Sequence, residues 1–431
     1  MNTSGTDIII IVTYFLLLFL SIFWLLVLFS SSGRDSLKEK GRKKKLDHFP
    51  FFTTIIPAYN EEHSIVETIQ SVVHLDYPKE KMEILVVNDA SAYNTREIVE
   101  QIIKDNPGRN IILINNGEGG KGKAYPMNQM LEMAKGEFFI NFDADSFVDP
   151  WTLKKMLAFY YAQNDPALVI ITPAMKVYNP TTVLEKIQWL EYIVIILVAR
   201  LSSHLDSLYV APGPFSLYRT QIINNLGGFD EHTLTEDQEI AYRVQQHQYK
   251  IKQCFDGYVY TTAPKKIPSF YRQRRRWYLG SLACLYKYKN MVANRKYGDF
   301  GVMQLTKNVT GYTLAIVGMI AAVYLLFLPL ISKVRNLFLI RFDIIPYFAH
   351  LQVIPSWLNV LASGFRQSFI LILLFLLTIF FLYQAHKNAQ EKISKLGWIP
   401  LFPYLLFYYL LKGCILLLSL AEFSRRKKIR W

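Results

Sequence analysis

Cysteine is scarce in this chain. There are three in 431 residues, Cys254, Cys284 and Cys414, an odd number, widely spaced and without partners at metal-ligand spacing. That excludes a disulfide scaffold and a thiolate metal cluster, and leaves reduced, structural residues. Charge is thin as well, 19% of residues against about 25% in ordinary globular chains. No Lys or Arg precedes the first apolar run, Ile8–Phe29; Asp7 stands there instead. A cleaved signal peptide needs a basic start and a shorter apolar core, so this uncharged run reads as a membrane span. Roughly 20 helical residues at about 1.5 Å each cross a bilayer core. What the chain has in excess is apolar side chain, 52% hydrophobic and 15% aromatic, more than one soluble core takes in.

The net charge of +14 raises nucleic acid as a partner, and its distribution argues against one. Arg34–Lys45 holds seven basic and two acidic residues, Lys265–Lys289 eight basic and none acidic, and Arg425–Arg430 five basic. Those stretches outweigh the whole chain's excess, and the remainder is slightly acidic. Each lies beside an apolar segment, where basic residues anchor the cytosolic face of a membrane. The expected partner is a lipid bilayer, and no nucleic acid is needed.

Between residue 50 and about 262, short apolar runs alternate with amphipathic stretches, the pattern of βαβ units on a mainly parallel sheet. Strands are expected at Thr53–Ile56, Ile84–Val87, Ile111–Ile114, Phe138–Phe142 and Leu168–Ile171. Such a sheet gathers polar ligands at the carboxyl ends of its strands. Pro57-Ala58-Tyr59-Asn60-Glu61-Glu62 follows the first strand, Asn88-Asp89-Ala90-Ser91 the second, and Asp143-Ala144-Asp145 the fourth.

On extended backbone, Asp143 and Asp145 share a side and can hold a hard divalent cation through oxygen. Such a cation would screen a diphosphate leaving group. Acidic pairs at this spacing are common in turns, and its place behind a buried strand is what distinguishes this one. A second acidic cluster, Thr235-Glu236-Asp237-Gln238-Glu239, opens an amphipathic helix. Acids there complement a helix dipole in any protein. The functional reading is a carboxylate base for an acceptor hydroxyl, and the choice falls on Asp237. Downstream, Gln273-Arg274-Arg275-Arg276-Trp277 sits in a basic, aromatic stretch. It fits an interfacial helix, and equally an active-site edge where Arg or Gln binds phosphate or hydroxyls and Trp277 stacks on a sugar.

In this order the motifs resemble the inverting family 2 glycosyltransferases with a GT-A fold, and within them the processive synthases of hyaluronan, poly-N-acetylglucosamine, chitin and cellulose. The resemblance covers about residues 50 to 290. It implies that Pro57, Tyr59 and Glu61 form the first nucleotide-contacting loop and that Asn88 and Asp89 bind uridine. Lys123, in Lys121-Gly122-Lys123-Ala124 with Asn128, would line the diphosphate pocket. Asp145 would be the direct ligand of Mg2+ or Mn2+, and Asp143 would lie nearer the nucleotide. Gly213 and Pro214 resemble the acceptor-side loop, Glu236 and Asp237 the catalytic-base motif, and Gln273, Arg276 and Trp277 the product site of processive members. One departure stands out: Asp89-Ala90-Ser91-Ala92-Tyr93 replaces the Asp-Gly-Ser-x-Asp of many relatives.

Past residue 300 the composition returns to lipid-like, with spans expected at Ala315–Ile331, Phe369–Tyr383 and Ile399–Leu420. A fourth at Ile344–Leu361, despite its prolines, would return the basic tail to the cytosol. The expected organisation is an anchor at 1–33, a basic linker at 34–49, an α/β GT-A-type domain at 50–265, an interface helix at 266–295, transmembrane helices at 300–424 and a basic tail at 425–431. The resemblance implies a multi-pass protein of the cell membrane whose cytosolic domain moves sugar from a UDP-sugar to a growing β-linked polysaccharide. A single transfer to a lipid acceptor is the nearer rival, and a nucleotide-binding transporter or receptor the more distant one.

Overall fold

The computed structural model describes residues 5–39, 46, 48–92, 94–117, 119, 122–339 and 365–425. The chain divides into two compact units, one of residues 1–30 with 308–384, the other of residues 31–307 with 385–431.

The second unit is built on strands β1 Phe52–Ala58, β2 Met82–Asn88, β3 Ile111–Asn115, β4 Phe138–Asn141, β5 Ser146–Val148, β6 Leu168–Val177, β7 Ser216–Arg219 and β8 Lys250–Thr261. They form one sheet in the order β3-β2-β1-β4-β7-β6-β8-β5. The five expected strands are present with shifted ends; β4 stops at Asn141 and β6 runs on to Val177. The sheet is mainly parallel, as expected, with β7 and β5 reversed and β6 and β8 parallel to each other. β3, β2, β1 and β4 run parallel, but β7 pairs antiparallel with both β4 and β6, and β5 antiparallel with β8. These three extra strands lack the continuous apolar run that a fully buried strand needs. β5 and β7 are very short, and β8 alternates buried with partly exposed positions.

The helices of this unit are α2 Ile65–Val73, α3 Thr95–Asp105, α4 Ala124–Met133, α5 Thr152–Gln163, α6 Val183–His204, α7 Thr220–Asn225, α8 Glu236–Gln246 and α9 Ile267–Lys287. The strand period of two divides the core between the sheet's faces. Phe52 and Ile56, Ile84 and Val86, Phe138 and Ile140 pack with α2, α3 and α5 on one face. Ile55, Leu85, Val87 and Phe139 pack with α4, α7 and α8 on the other. The helices therefore hold the sheet from both sides and leave the strand ends to form a site.

α6 carries a long apolar run, Tyr192–Ala199, yet it belongs to this folded unit. A capping box fixes its start: Thr182 Oγ1 accepts from the Glu185 amide at 3.2 Å, and Glu185 Oε2 accepts from the Thr182 amide at 2.8 Å. Two orphan amides are satisfied reciprocally, which sets the helix register.

α1 Gly5–Glu39, α10 Thr306–Ala322, α11 Leu328–Leu339, α12 Phe365–Ala389 and α13 Leu401–Ser424 complete the described helices discussed below. Among the described residues, three stretches are long and apolar enough to cross a membrane: Val12–Ser31 in α1, Ile372–Ala389 in α12, and α13. The expected span at 315–331 is divided among α10, a π-helical stretch Val323–Phe327 and α11. The expected crossing at 344–361, basic residues 40–45 and 426–430, and Lys121 lie outside the described residues.

Candidate active site

β1 and β2 end level, Ala58 opposite Asn88, and their loops lock together. Asn60 takes the left-handed conformation at φ 57°, which an asparagine tolerates. Its amide donates to Ser91 Oγ at 3.0 Å, and the Ala92 amide donates back to Asn60 Oδ1 at 2.8 Å. Asp89 Oδ1 accepts from Asn116 Nδ2 at 3.0 Å, a partner the sequence reading did not single out. Asn88 is spent on the scaffold, donating to Asn115 Oδ1 at 3.0 Å and accepting from the Ser91 amide at 3.1 Å. Where relatives carry glycine, Ala90 sits at φ 56°.

After β4 the chain presents Asp143 and Asp145. Lys123, at the start of α4, pairs with Asp143 and, at 3.0 Å, with Glu236 Oε1 on α8. Burial acts to discharge Lys123, but Asp143 and Glu236 outweigh it and hold the ammonium charged. Gly213 makes the junction possible: a Cβ there would lie 2.7 Å from Lys123 Nζ and 2.8 Å from Asp143 Oδ1. Two residues on, Phe215 is buried at φ 63°, with its ring edge-on to Phe142 at 5.0 Å. A bulky residue at positive φ is a strained position, of the kind that clusters at functional loops.

The four polar residues opening α8 divide their duties. Glu236 meets Lys123; Gln238 Nε2 donates to Ser281 Oγ at 3.0 Å; Glu239 Oε1 accepts from Lys287 Nζ and Tyr288 Oη, both at 2.6 Å. Of the three acids, Asp237 alone makes no ion pair among the described residues, and the adjacent Gln238 amide donates to its Oδ1 at 2.8 Å. Burial, then the Glu236 charge, push its carboxyl up to about 7. That is where a general base works best near neutrality. α9 reaches this corner because Gly280 has no side chain; a Cβ would stand 2.3 Å from Thr235 Oγ1.

A cavity of about 610 Å³ joins these groups, within the range of small-molecule sites. Pro57, Tyr59, Glu61, Asp89, Lys123, Asp143 and Asp145 line it together with Gly213, Pro214, Glu236, Asp237, Gln273, Arg276 and Trp277. Asn88 stays behind the wall. Asn128 does too, bonding Phe229 and Glu231 instead. Gln273 Oε1 is buried without a hydrogen-bond partner among the described residues. Burial also pushes up the Glu61 carboxyl. The cavity adds residues that no motif indicated, among them Tyr192 of α6 and Met175 and Thr261 at the ends of β6 and β8. Their signal is topological: β6 and β8 end beside the same cleft. Burial pushes the Tyr192 hydroxyl up to about 12, so it serves as a neutral hydrogen-bonding group.

Whether a divalent cation fits turns on Asp145. Its carboxylate is partly buried in the cleft, receives the Ser146 hydroxyl at 3.0 Å, and is pushed up to about 6 by burial and by Asp143. Partly buried anionic charge with so little compensation suits a hard cation. Among the described residues no group of three or more His, Cys, Asp or Glu could hold a metal unaided. Mg2+-type ions need only one or two carboxylates when phosphate oxygens and water fill the rest, so the residues fit.

Residues 53–227 match the family described as glycosyl transferase family 2. Over 425 residues the chain is 25% identical to the poly-β-1,6-N-acetyl-D-glucosamine synthase of Staphylococcus epidermidis strain RP62A, covering 95% of this chain and 93% of that one. The synthase of the same description from Staphylococcus aureus strain COL is 28% identical over 267 residues, 61% of this chain and 63% of the relative. In fold the chain is similar to the mannosyltransferase PcManGT from Pyrobaculum calidifontis, solved with GDP-Man and Mn2+. The TM-score is 0.56 at 18% identity, covering 88% of this chain and 99% of that one. Sheet, cleft and family match agree: residues 53–227 form a domain of the glycosyl transferase family 2 type, in a chain whose likeness to the poly-β-1,6-N-acetyl-D-glucosamine synthase of Staphylococcus epidermidis runs nearly end to end.

Proposed function

We propose that this enzyme transfers N-acetylglucosamine from a UDP-sugar to the end of a growing β-linked polysaccharide, repeatedly, at the cytosolic face of the cell membrane. The observation that carries the reading is the single cleft lined together by Asp143, Asp145, Asp237 and Trp277. Asp89, held by Asn116, meets the uridine; Tyr59 and Glu61 border the same end. Lys123 faces the diphosphate. A Mg2+ or Mn2+ ion on Asp145, with Asp143 beside it, would supply positive charge for the leaving diphosphate. Asp237 takes the proton from the acceptor hydroxyl as that oxygen attacks the anomeric carbon from the face opposite the nucleotide, which inverts configuration. Trp277 stacks on the acceptor pyranose, and Gln273 and Arg276 hold its hydroxyls. The transmembrane helices give the polar product a route it could not take through lipid.

The test is product size. Membranes containing the enzyme, supplied with labelled UDP-sugars one at a time, should yield long polymer from UDP-N-acetylglucosamine and little from the others. A lipid-linked monosaccharide as sole product would replace polymerisation with single transfer, and no transfer from any UDP-sugar would reject the donor class.

A further inference from the structure

Glu191, midway along α6, gathers three partners that no motif joins. Its Oε2 accepts from Arg274 Nη2 of α9 at 2.5 Å and from the Tyr408 hydroxyl of α13 at 2.6 Å, and its Oε1 meets Lys412 Nζ of α13 at 2.7 Å. The side chains of Glu191 and Arg274 are 8% and 3% exposed. One carboxylate thus serves two cations away from bulk water. Arg274 spends its remaining surface on rings, with its guanidinium carbon 4.1 Å from the centre of Trp277 and 5.1 Å from that of Phe270. Its Nε has no hydrogen-bond partner among the described residues, so Glu191 is what fixes the guanidinium's place.

We propose that Glu191 is a positioning residue for the acceptor: it clamps Arg274 against the Trp277 indole and sets that ring's attitude in the cleft. A guanidinium over an aromatic face is held by the ring's quadrupole and restricts the ring's rotation. A pyranose stacking on Trp277 then meets a ring already in place, and the ordering cost of binding is lower. Lys412 and Tyr408 bring the apolar helix α13 into the same clamp. An ionisable residue within a membrane-length helix marks function by default, and Lys412 answers Glu191. This inference rests on the reading of Trp277 as the acceptor platform.

Arg274→Gln is the principal variant, because it leaves Glu191 and Lys412 as a balanced pair and strands no buried charge. Glu191→Gln is the direct one, at the risk of stranding two cations. Both are compared with Trp277→Ala in purified, detergent-solubilised full chain, reading mean product length, KM for an added short N-acetylglucosamine oligomer, and Kd for UDP. Arg274→Gln should shorten the product and raise the acceptor KM, each at least about 5-fold, with kcat and the UDP Kd within about twofold. Glu191→Gln should do the same where it folds. If Trp277→Ala shortens the product and Arg274→Gln does not, the clamp is rejected while the platform stands. If neither shortens it, the platform reading fails and the clamp with it. Shortening by Arg274→Gln alone overturns the clamp as well, since Arg274 would then act by another route.

Discussion

The two groups of cleft residues are positioned in different ways. Those proposed to meet the donor, the donor wall, follow the sheet: β1 and β2 end level, and the Phe142 amide just past β4 still bonds to the Ile55 carbonyl, so Tyr59, Asp89 and Asp143 follow neighbouring parallel strands. Those proposed to meet the acceptor, the acceptor wall, are set by side-chain contacts between helices. Glu236 crosses to Lys123, Gln238 to Ser281, Glu239 to Lys287, and Glu191 to Tyr408, 217 residues away. A wall built on strand ends tolerates change in the helices behind it, whereas a wall of helix-to-helix contacts moves whenever one helix does. Substitutions on the donor side should therefore alter binding and chemistry at a point, and those on the acceptor side should spread.

Asp145→Ala tests the donor wall most severely. Transfer should fall by about 10³ or more and donor binding should weaken, since the leaving diphosphate would lose its charge screen. Chelator treatment of wild-type membranes should reproduce the loss, and readdition of Mg2+ or Mn2+ should reverse it. Full activity after chelation would reject the assignment.

Asp237→Asn keeps shape and hydrogen-bond capacity but cannot take a proton. Polymer synthesis should drop by about 10² or more, with the UDP Kd within a few-fold of wild type. The wild-type pH profile supplies the companion measurement. A base is active when ionised, and burial together with Glu236 pushes Asp237 up to about 7. The rate should therefore rise as pH climbs through about 7 and level off above it. Incorporation by the variant within a few-fold of wild type would remove Asp237 as the base.

Two glycines compare a contact with side-chain ends against a contact between helices. At Gly213 an added Cβ collides with the Lys123 and Asp143 side-chain ends, so Gly213→Ala should cut kcat/KM about 10-fold with little change in melting temperature. At Gly280 it collides with Thr235, down to 2.8 Å from its Cβ. Alanine gains about 1 kcal/mol of helix propensity there, against about 1–3 kcal/mol for overpacking. Gly280→Ala should destabilise by about 1 kcal/mol and reduce polymer synthesis a few-fold by shifting the start of α8. Equal losses of stability in both variants would erase the distinction between a side-chain junction and a helix-packing contact.

That contrast also explains what the sequence could disclose. The polar clusters after β1, β2 and β4 were legible because a buried strand announces itself as an apolar run and its end is where ligands gather. Thr235-Glu236-Asp237 was legible as a helix opening. β7 and β8 were not, since neither is a continuous apolar run, and without them the reversal at β7 and the place of Thr261 could not be foreseen. Asn116 looked like any turn residue until its bond to Asp89 was visible. Glu191 and Lys412 gave no local sign of their pairing, because nothing local connects positions so far apart. Tertiary packing also reassigned Asn128 from the pocket to the 229–231 loop.

The smallest expected effect belongs to the donor wall and concerns the departure at Ala90. The residue holds φ 56°, where an L side chain costs about 1–2 kcal/mol relative to the right-handed region. Ala90→Gly removes that strain but loosens the unfolded chain, returning about 0.5–1 kcal/mol. Gly119, whose built Cβ would stand 3.2 Å from Ala90 Cβ, shows how closely the neighbouring turn approaches, so glycine at 90 introduces no clash. The balance is a gain of about 0–1.5 kcal/mol, read as an unchanged or slightly higher melting temperature of the purified protein. Donor KM should stay within about twofold, because Asp89 is held by Asn116 and the loop by Asn60 and Ser91, none of which depends on the Ala90 methyl. A clear fall in stability, or a donor KM shifted 10-fold, would mean that the second loop is set by residue 90 itself and that the strand-end account of the donor wall is too simple.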